Sequence, residues 1–177
     1  MKIVLIVVTS IDGITYQKEK PLESHHEWTS KEDVNFFTSV RDKASLILMG
    51  SKTYEGAKSQ MVHSDKKLRI VFTRNPEKYE KEKIPNILEF TNKSPKEKIK
   101  ELESKGYTEA LLMGGANLNK DFFKENLVSE LWMTVEPIIL GDGVGITEKI
   151  NNYPMKLIGM EKLNERGTLL LKYKANL

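Results

Sequence analysis

Residues 2–9, KIVLIVVT, form an unbroken β-branched run, the pattern of a strand buried on both faces. Ser10-Ile11-Asp12-Gly13 turns the chain, and the polar, irregular stretch 14–29 predicts a surface loop. Helical spacing follows. Val34, Phe37 and Val40, with the stem of Arg41, predict the buried face of a helix running from Ser30 to about Lys43. Its first residues, Ser30-Lys-Glu-Asp33, have the capping-box pattern, in which an N-cap hydroxyl and the third helical side chain satisfy opposite backbone amides. Leu46–Met49 predicts a second buried strand ended by Gly50, then a short helix from Lys52 to Ala57.

The alternation continues. Strands are expected at Leu68–Thr73 and Ile87–Thr91, and a helix between Ser94-Pro95 and Gly106 has Pro at its first position and Gly past its end. A fifth strand, Ala110–Met113, stops at Gly114-Gly115, and Asn117 or Asn119 is expected to cap the helix carrying Leu118, Phe122 and Phe123. Glu130–Leu140, Met155–Leu163 and Thr168–Lys174 read as the last strands. This order predicts an α/β fold: a mostly parallel central sheet of about eight strands with an antiparallel edge strand at the C-terminus, and helices on both faces.

Composition narrows the function classes. The 177 residues predict one domain over 1–177, with 39% hydrophobic and 30% charged residues, as in ordinary globular proteins. There is no cysteine, so disulfides and thiolate metal sites are excluded. A net charge of +3, with lysines interleaved among glutamates in KYEKEKIP and SPKEKIKELESKG, reads as a solvated face and not as a nucleic-acid surface. His25, His26 and His63 lack the spacing of a helical metal pair, so no metal is expected. The early apolar run is too short to span a membrane and has no cleavage-type flank, which predicts a cytoplasmic protein without a signal peptide.

Candidate chemistry lies at the strand ends, where open parallel sheets bind ligands. Three such ends carry suitable residues: Gly50-Ser51-Lys52-Thr53, Thr73-Arg74-Asn75 and Gly114-Gly115-Ala116-Asn117. A glycine pair lets backbone approach a pyrophosphate, and a following helix N-terminus favours its charge. Neither G-x-G-x-x-G nor a P-loop is present. Asp33 alone reads equally as an acid in a helix's first turn.

In order and spacing, several motifs are similar to those of the dihydrofolate reductases, and in particular of the branch that shares the reductase domain of bacterial riboflavin biosynthesis. They are Trp28 with Asp33, Phe37 one turn later, SIDG at 10–13, MGSKTYE at 49–55, MGGANL at 113–118, LWMT at 131–134, VEPIILGDG at 135–143 and LNERGTLLLKY at 163–173. The resemblance spans essentially the whole chain. It implies a dihydrofolate-reductase-like fold and an NADPH-dependent oxidoreductase. Asp33 would pair with the amidine edge of a pterin, supported by Thr134. Trp28 would order the catalytic water, Phe37 would pack on the ring, and Val7 and Val8 would line the substrate. Gly50, Ser51, Lys52, Thr53, Thr73 and Arg74 would hold the 2′-phosphate of NADPH, and Gly114, Gly115, Ala116, Asn117 and Leu118 its pyrophosphate and nicotinamide side. The implied reaction is hydride transfer to C6 of dihydrofolate with N5 protonated, and members of this branch are often homodimers.

Two departures bear on that reading. Ser51 replaces the family's arginine, which weakens the preference for NADPH over NADH. Lys67, with Arg69 two residues on, stands where these reductases fork an arginine onto the folate carboxylate. The alternative implied by the same resemblance is reduction of the diamino-ribosylamino-pyrimidinone phosphate of riboflavin biosynthesis, whose pocket should be basic; Asp33 beside Trp28 favours the pterin. A non-catalytic nucleotide-binding protein keeping the fold is the alternative from another class.

Overall fold

The structure, a computed structural model, describes residues 1–18, 20 and 27–176; His25 and His26 lie outside the described residues. In chain order the elements are β1 (Lys2–Ser10), β2 (Ile14–Tyr16), α1 (Lys31–Lys43), β3 (Leu46–Gly50), α2 (Ser51–Ala57), β4 (Leu68–Phe72) and β5 (Leu88–Thr91). There follow α3 (Pro95–Ser104), β6 (Glu109–Leu112), α4 (Ala116–Lys124), β7 (Glu130–Glu136), β8 (Val144–Gly145), β9 (Met155–Lys162) and β10 (Leu169–Ala175).

Eight strands make one sheet in the order β5-β4-β3-β6-β1-β7-β10-β9. All pairings from β5 to β7 are parallel, and β10 is antiparallel to both neighbours. The antiparallel C-terminal strand is therefore internal, and β9 takes the edge in its place. On the side of β7 away from β1, β10 satisfies the β7 backbone, and β9 then pairs with the outer side of β10. β2 and β8 form a separate antiparallel ribbon, so the polar stretch after Gly13 is not wholly irregular. Its strand is too short for alternation to reveal.

Helices cover both faces. Ile99 and Leu102 of α3 and Phe122 and Phe123 of α4 close one core over Ile3, Leu5, Leu48 and Leu112. On the other face Phe36, Phe37 and Val40 of α1 and Tyr54 of α2 pack towards Val4, Ile6, Ile47 and Val71. β1 is central because Ile3, Val4, Leu5 and Ile6 are buried on both faces.

Three local expectations are corrected. Val34 is exposed, since the buried stripe of α1 runs instead through Asp33, Phe36, Phe37 and Val40. Neither Asn117 nor Asn119 caps α4: Gly115 is its N-cap, with no side-chain capping bond, and both asparagines lie inside the helix. The strand expected to reach Leu140 ends at Glu136, before Pro137, which has no amide for a ladder bond.

Candidate active site

The sheet parts at its centre. β1 pairs with β6 only as far as Leu5, opposite Leu112, whereas its pairing with β7 runs on to Ser10, opposite Glu136. Past Leu5 the β6 side of β1 is left open, and the chain leaves β6 through Gly114-Gly115. Val7 and Val8 are only half-buried there, although Ile6 and Thr9 beside them are buried. This is a crevice at the carboxyl ends of parallel strands.

On the α1 side of the crevice, strand alternation puts Val8 and Ser10 of β1 on one face with Thr134 and Glu136 of β7. Thr134 is 1% exposed and Glu136 fully buried. α1 is seated on this face through its N-cap. The Ser30 amide donates to Glu136 Oε1 at 2.7 Å, and Ser30 Oγ accepts from the Asp33 amide at 3.2 Å. Asp33 is thereby fixed in the first turn, with its residue 6% exposed. Trp28 is buried just ahead of the cap.

Asp33, Phe37 and Arg41 recur at one-turn intervals and so share a side of α1. The Arg41 guanidinium lies 5.8 Å from the centre of the Phe37 ring. At about 1.5 Å per residue, Asp33 and Arg41 stand roughly 12 Å apart along the helix axis. Two more cations gather at the Arg41 end. Lys67 Nζ donates to the carbonyl oxygens of Arg41 and Asp42 at 2.6 and 3.3 Å. Arg69, 6% exposed, donates Nη2 to the Val62 carbonyl at 2.8 Å, while its Nη1 has no hydrogen-bond partner among the described residues. Burial, reinforced by Arg69, holds the Lys67 ammonium below the usual lysine range, with Asp42 opposing. Burial and then Arg41 act on Arg69 in the same direction. Asp42 answers part of this charge by pairing with Arg41 at 3.0 Å.

Across the crevice the nucleotide-type residues come together. Gly50 pairs in register with Phe72, which sets Ser51, Lys52 and Thr53 beside Thr73 and Arg74. The Gly50 amide donates to the Gly114 carbonyl at 2.7 Å, joining this pair of strand ends to the third. Gly114 has φ +79°, a conformation that favours glycine. A Cβ on Gly115 would stand 3.5 Å from Thr53 Oγ1, and one on Gly50 would stand 3.6 Å from Gly114 O and Gly115 N. Side chains there would fill the cradle. α4 also begins without a side-chain cap, in contrast to α1 and α3, which carry Ser30 and Ser94. The donor set therefore fits a pyrophosphate on the backbone and an outlying phosphate near Lys52 and Arg74. Leu118 closes the Gly50 side, since a Cβ on Gly50 would stand 3.8 Å from the Leu118 Cβ. Beyond it, Asn119 Nδ2 donates to the Ile146 carbonyl at 2.6 Å and Lys120 pairs with Glu148 at 2.9 Å, tying the following loop to α4.

Residues 1–169 match the family model described as RibD C-terminal domain. The chain belongs to this family. The uncharacterized protein YwjB of Bacillus subtilis is 26% identical over 153 residues, covering 85% of each chain. The RibD-type fold recurs in a putative riboflavin biosynthesis protein from Shewanella sp. PV-4, with TM-score 0.80, 22% identity and 100% of both chains covered. It recurs again in a Thermotoga maritima diaminohydroxyphosphoribosylaminopyrimidine deaminase/5-amino-6-(5-phosphoribosylamino)uracil reductase, with TM-score 0.73 and 13% identity. That match covers 98% of this chain and 56% of the Thermotoga chain. The resemblance to the riboflavin branch is thus borne out at the level of family and fold.

Sequence reasoning overlooked Glu136 and the cationic partnership of Arg41. Both carried a signal. Glu136 alternates with Thr134 on the buried face of β7, and Arg41 follows Phe37 at the same spacing that links Phe37 to Asp33.

Proposed function

We propose that this protein is an NADPH-dependent reductase of a phosphoribosylamino-pyrimidine. The observation that carries this reading is the polarity of α1, with a buried carboxylate at one end and the Arg41, Lys67 and Arg69 cluster at the other. Asp33 would accept two hydrogen bonds from an amino-pyrimidine edge, and Phe37 would wall the ring from water. Charge-assisted bonds of that kind contribute about 1.5–3 kcal/mol. The cation cluster would receive the phosphate, and the unsatisfied Arg69 Nη1 supports an acceptor there. Ser51, Lys52, Thr53, Thr73 and Arg74 would hold the 2′-phosphate of NADPH, and Gly114, Gly115, Ala116, Asn117 and Leu118 its pyrophosphate side. The cofactor supplies hydride when bound; the protein orients the two partners across the crevice.

Removing the phosphate tests this reading. Wild-type protein is expected to bind the phosphorylated pyrimidine at least tenfold more tightly than its dephosphorylated counterpart, and Arg41→Gln to erase most of the difference. Equal affinity for the two compounds in the wild type would overturn it.

Dihydrofolate reduction is the second reading. Asp33 with Phe37 one turn on in α1 supports it, Thr134 of β7 would assist from the sheet, and the folate carboxylates would then meet the same cations. We further infer that the protein is a homodimer, because the edge strand β9 exposes Leu157, Ile158 and Met160 at 48%, 50% and 69%. No helix among the described residues is long and apolar enough to cross a membrane.

A further inference from the structure

Glu136 is a fully buried carboxylate for which the proposed chemistry has no direct use. Both of its oxygens have partners. Oε1 accepts the N-cap amide of α1 from Ser30 at 2.7 Å, and Oε2 accepts the hydroxyl of Thr168 at 2.8 Å. Thr168 is held in turn by Asn164, whose Nδ2 donates to Thr168 Oγ1 at 2.9 Å and whose Oδ1 accepts the Thr168 amide at 3.1 Å. The same Asn164 amide nitrogen donates to Glu32 Oε2 at 3.0 Å, in the first turn of α1. Two strings of hydrogen bonds thus run from the turn between β9 and β10 to the start of α1, one of them through Glu136.

A buried carboxylate is costly unless its oxygens are satisfied. Here its charge also lies at the positive end of α1, where a helix stabilises an anion. The relay continues towards the site: Glu136 holds the Ser30 amide, Ser30 Oγ caps the Asp33 amide, and Asp33 carries the proposed substrate carboxylate.

We propose that Glu136 is a positioning residue. It fixes the first turn of α1 against β7 and β10, so that the Asp33 carboxylate meets the pyrimidine edge in one geometry. The substrate part of this inference rests on the function proposed above; the anchoring part does not. No bond to substrate is assigned to Glu136 itself.

The test is a mutant cycle with a structural arm. Glu136→Leu and Glu136→Gln would be made in the wild-type and Asp33→Asn backgrounds, and affinity for the phosphoribosylamino-pyrimidine measured by calorimetry. Glu136→Leu is expected to weaken binding at least tenfold in the wild-type background and less than twofold in the Asp33→Asn background, with NADPH affinity changed less than twofold. Glu136→Gln, which keeps an acceptor for Ser30, is expected to recover most of the loss. Equal losses in the two backgrounds would overturn the proposal, because a general structural defect adds to Asp33→Asn where a shared path does not.

Hydrogen exchange on the ligand-free protein supplies the second arm. In Glu136→Leu the Ser30 and Asp33 amides are expected to exchange at least tenfold faster, with α3 unchanged. Unchanged exchange at both amides would overturn the proposal whatever the substrate. Should the wild type fail to bind the pyrimidine, the functional reading falls and this arm alone decides the anchoring.

Discussion

Asp12 follows β1, and Asp33 lies in the first turn of α1. Asp12 accepts from Ser10 Oγ at 2.6 Å and from the Gly141 and Leu140 amides at 2.8 and 3.2 Å, bracing the chain that follows β7. These bonds, led by Ser10, pull its carboxyl from 3.8 down to about 2. A depressed folded value means that the brace stabilises above the unfolded value and is lost as pH falls through the window from 3.8 to about 2. Protection of the Leu140 and Gly141 amides against exchange is therefore expected to fall across that window, and Asp12→Asn to remove the pH dependence. Asp33 is proposed to meet the substrate with its carboxylate. Asp33→Asn is expected to lower substrate turnover about ten- to hundredfold, the equivalent of roughly 1.5–3 kcal/mol, while NADPH affinity stays within twofold. Wild-type turnover in that variant, in a steady-state assay, would reduce Asp33 to a first-turn acid of α1.

At the scale of elements, the glycine turn after β6 and the start of α4 form the proposed cofactor cradle. Gly115 has φ −75°, which alanine adopts without strain, and its added Cβ would make only ordinary contact with Thr53. Gly115→Ala is thus expected to leave the melting temperature nearly unchanged and to weaken NADPH binding at least tenfold, measured by calorimetry. The order of these elements was legible in the sequence because β1 and β3 are apolar enough to require cover on both faces. The start of α1 was legible from Ser30, and that of α3 from Ser94-Pro95. The stripe of α1 was harder to read. Val34 fits the apolar spacing, yet the packed turn is the one carrying Asp33, and a buried acid is invisible to hydrophobic periodicity. β2 and β8 were missed because their pairing is long-range and their lengths are below one alternation. The position of β10 inside the sheet depends on which free edge it meets, which local pattern does not encode.

For the whole molecule, the parallel sheet brings the strand ends of β1, β3, β4, β6 and β7 to one crevice, which is why candidate residues from Val7 to Thr134 lie on one sheet despite their separation in sequence. Family motifs suggested the members of each proposed half-site, but the cation cluster needed the fold, since Arg41 of α1 and Arg69 of β4 are far apart in sequence and come close enough for Arg41 to act on Arg69 only in the folded chain. The exposed apolar edge at β9 belongs to this scale as well. Sedimentation is expected to give a dimer, with Met160→Lys shifting it towards monomer; a monomeric wild type would contradict the assembly proposed here. The central claim is tested most directly by following NADPH oxidation with purified protein and either the phosphoribosylamino-pyrimidine or dihydrofolate. Rapid oxidation with the pyrimidine, and at least tenfold slower oxidation with dihydrofolate, is the predicted result; no oxidation with either substrate would contradict it.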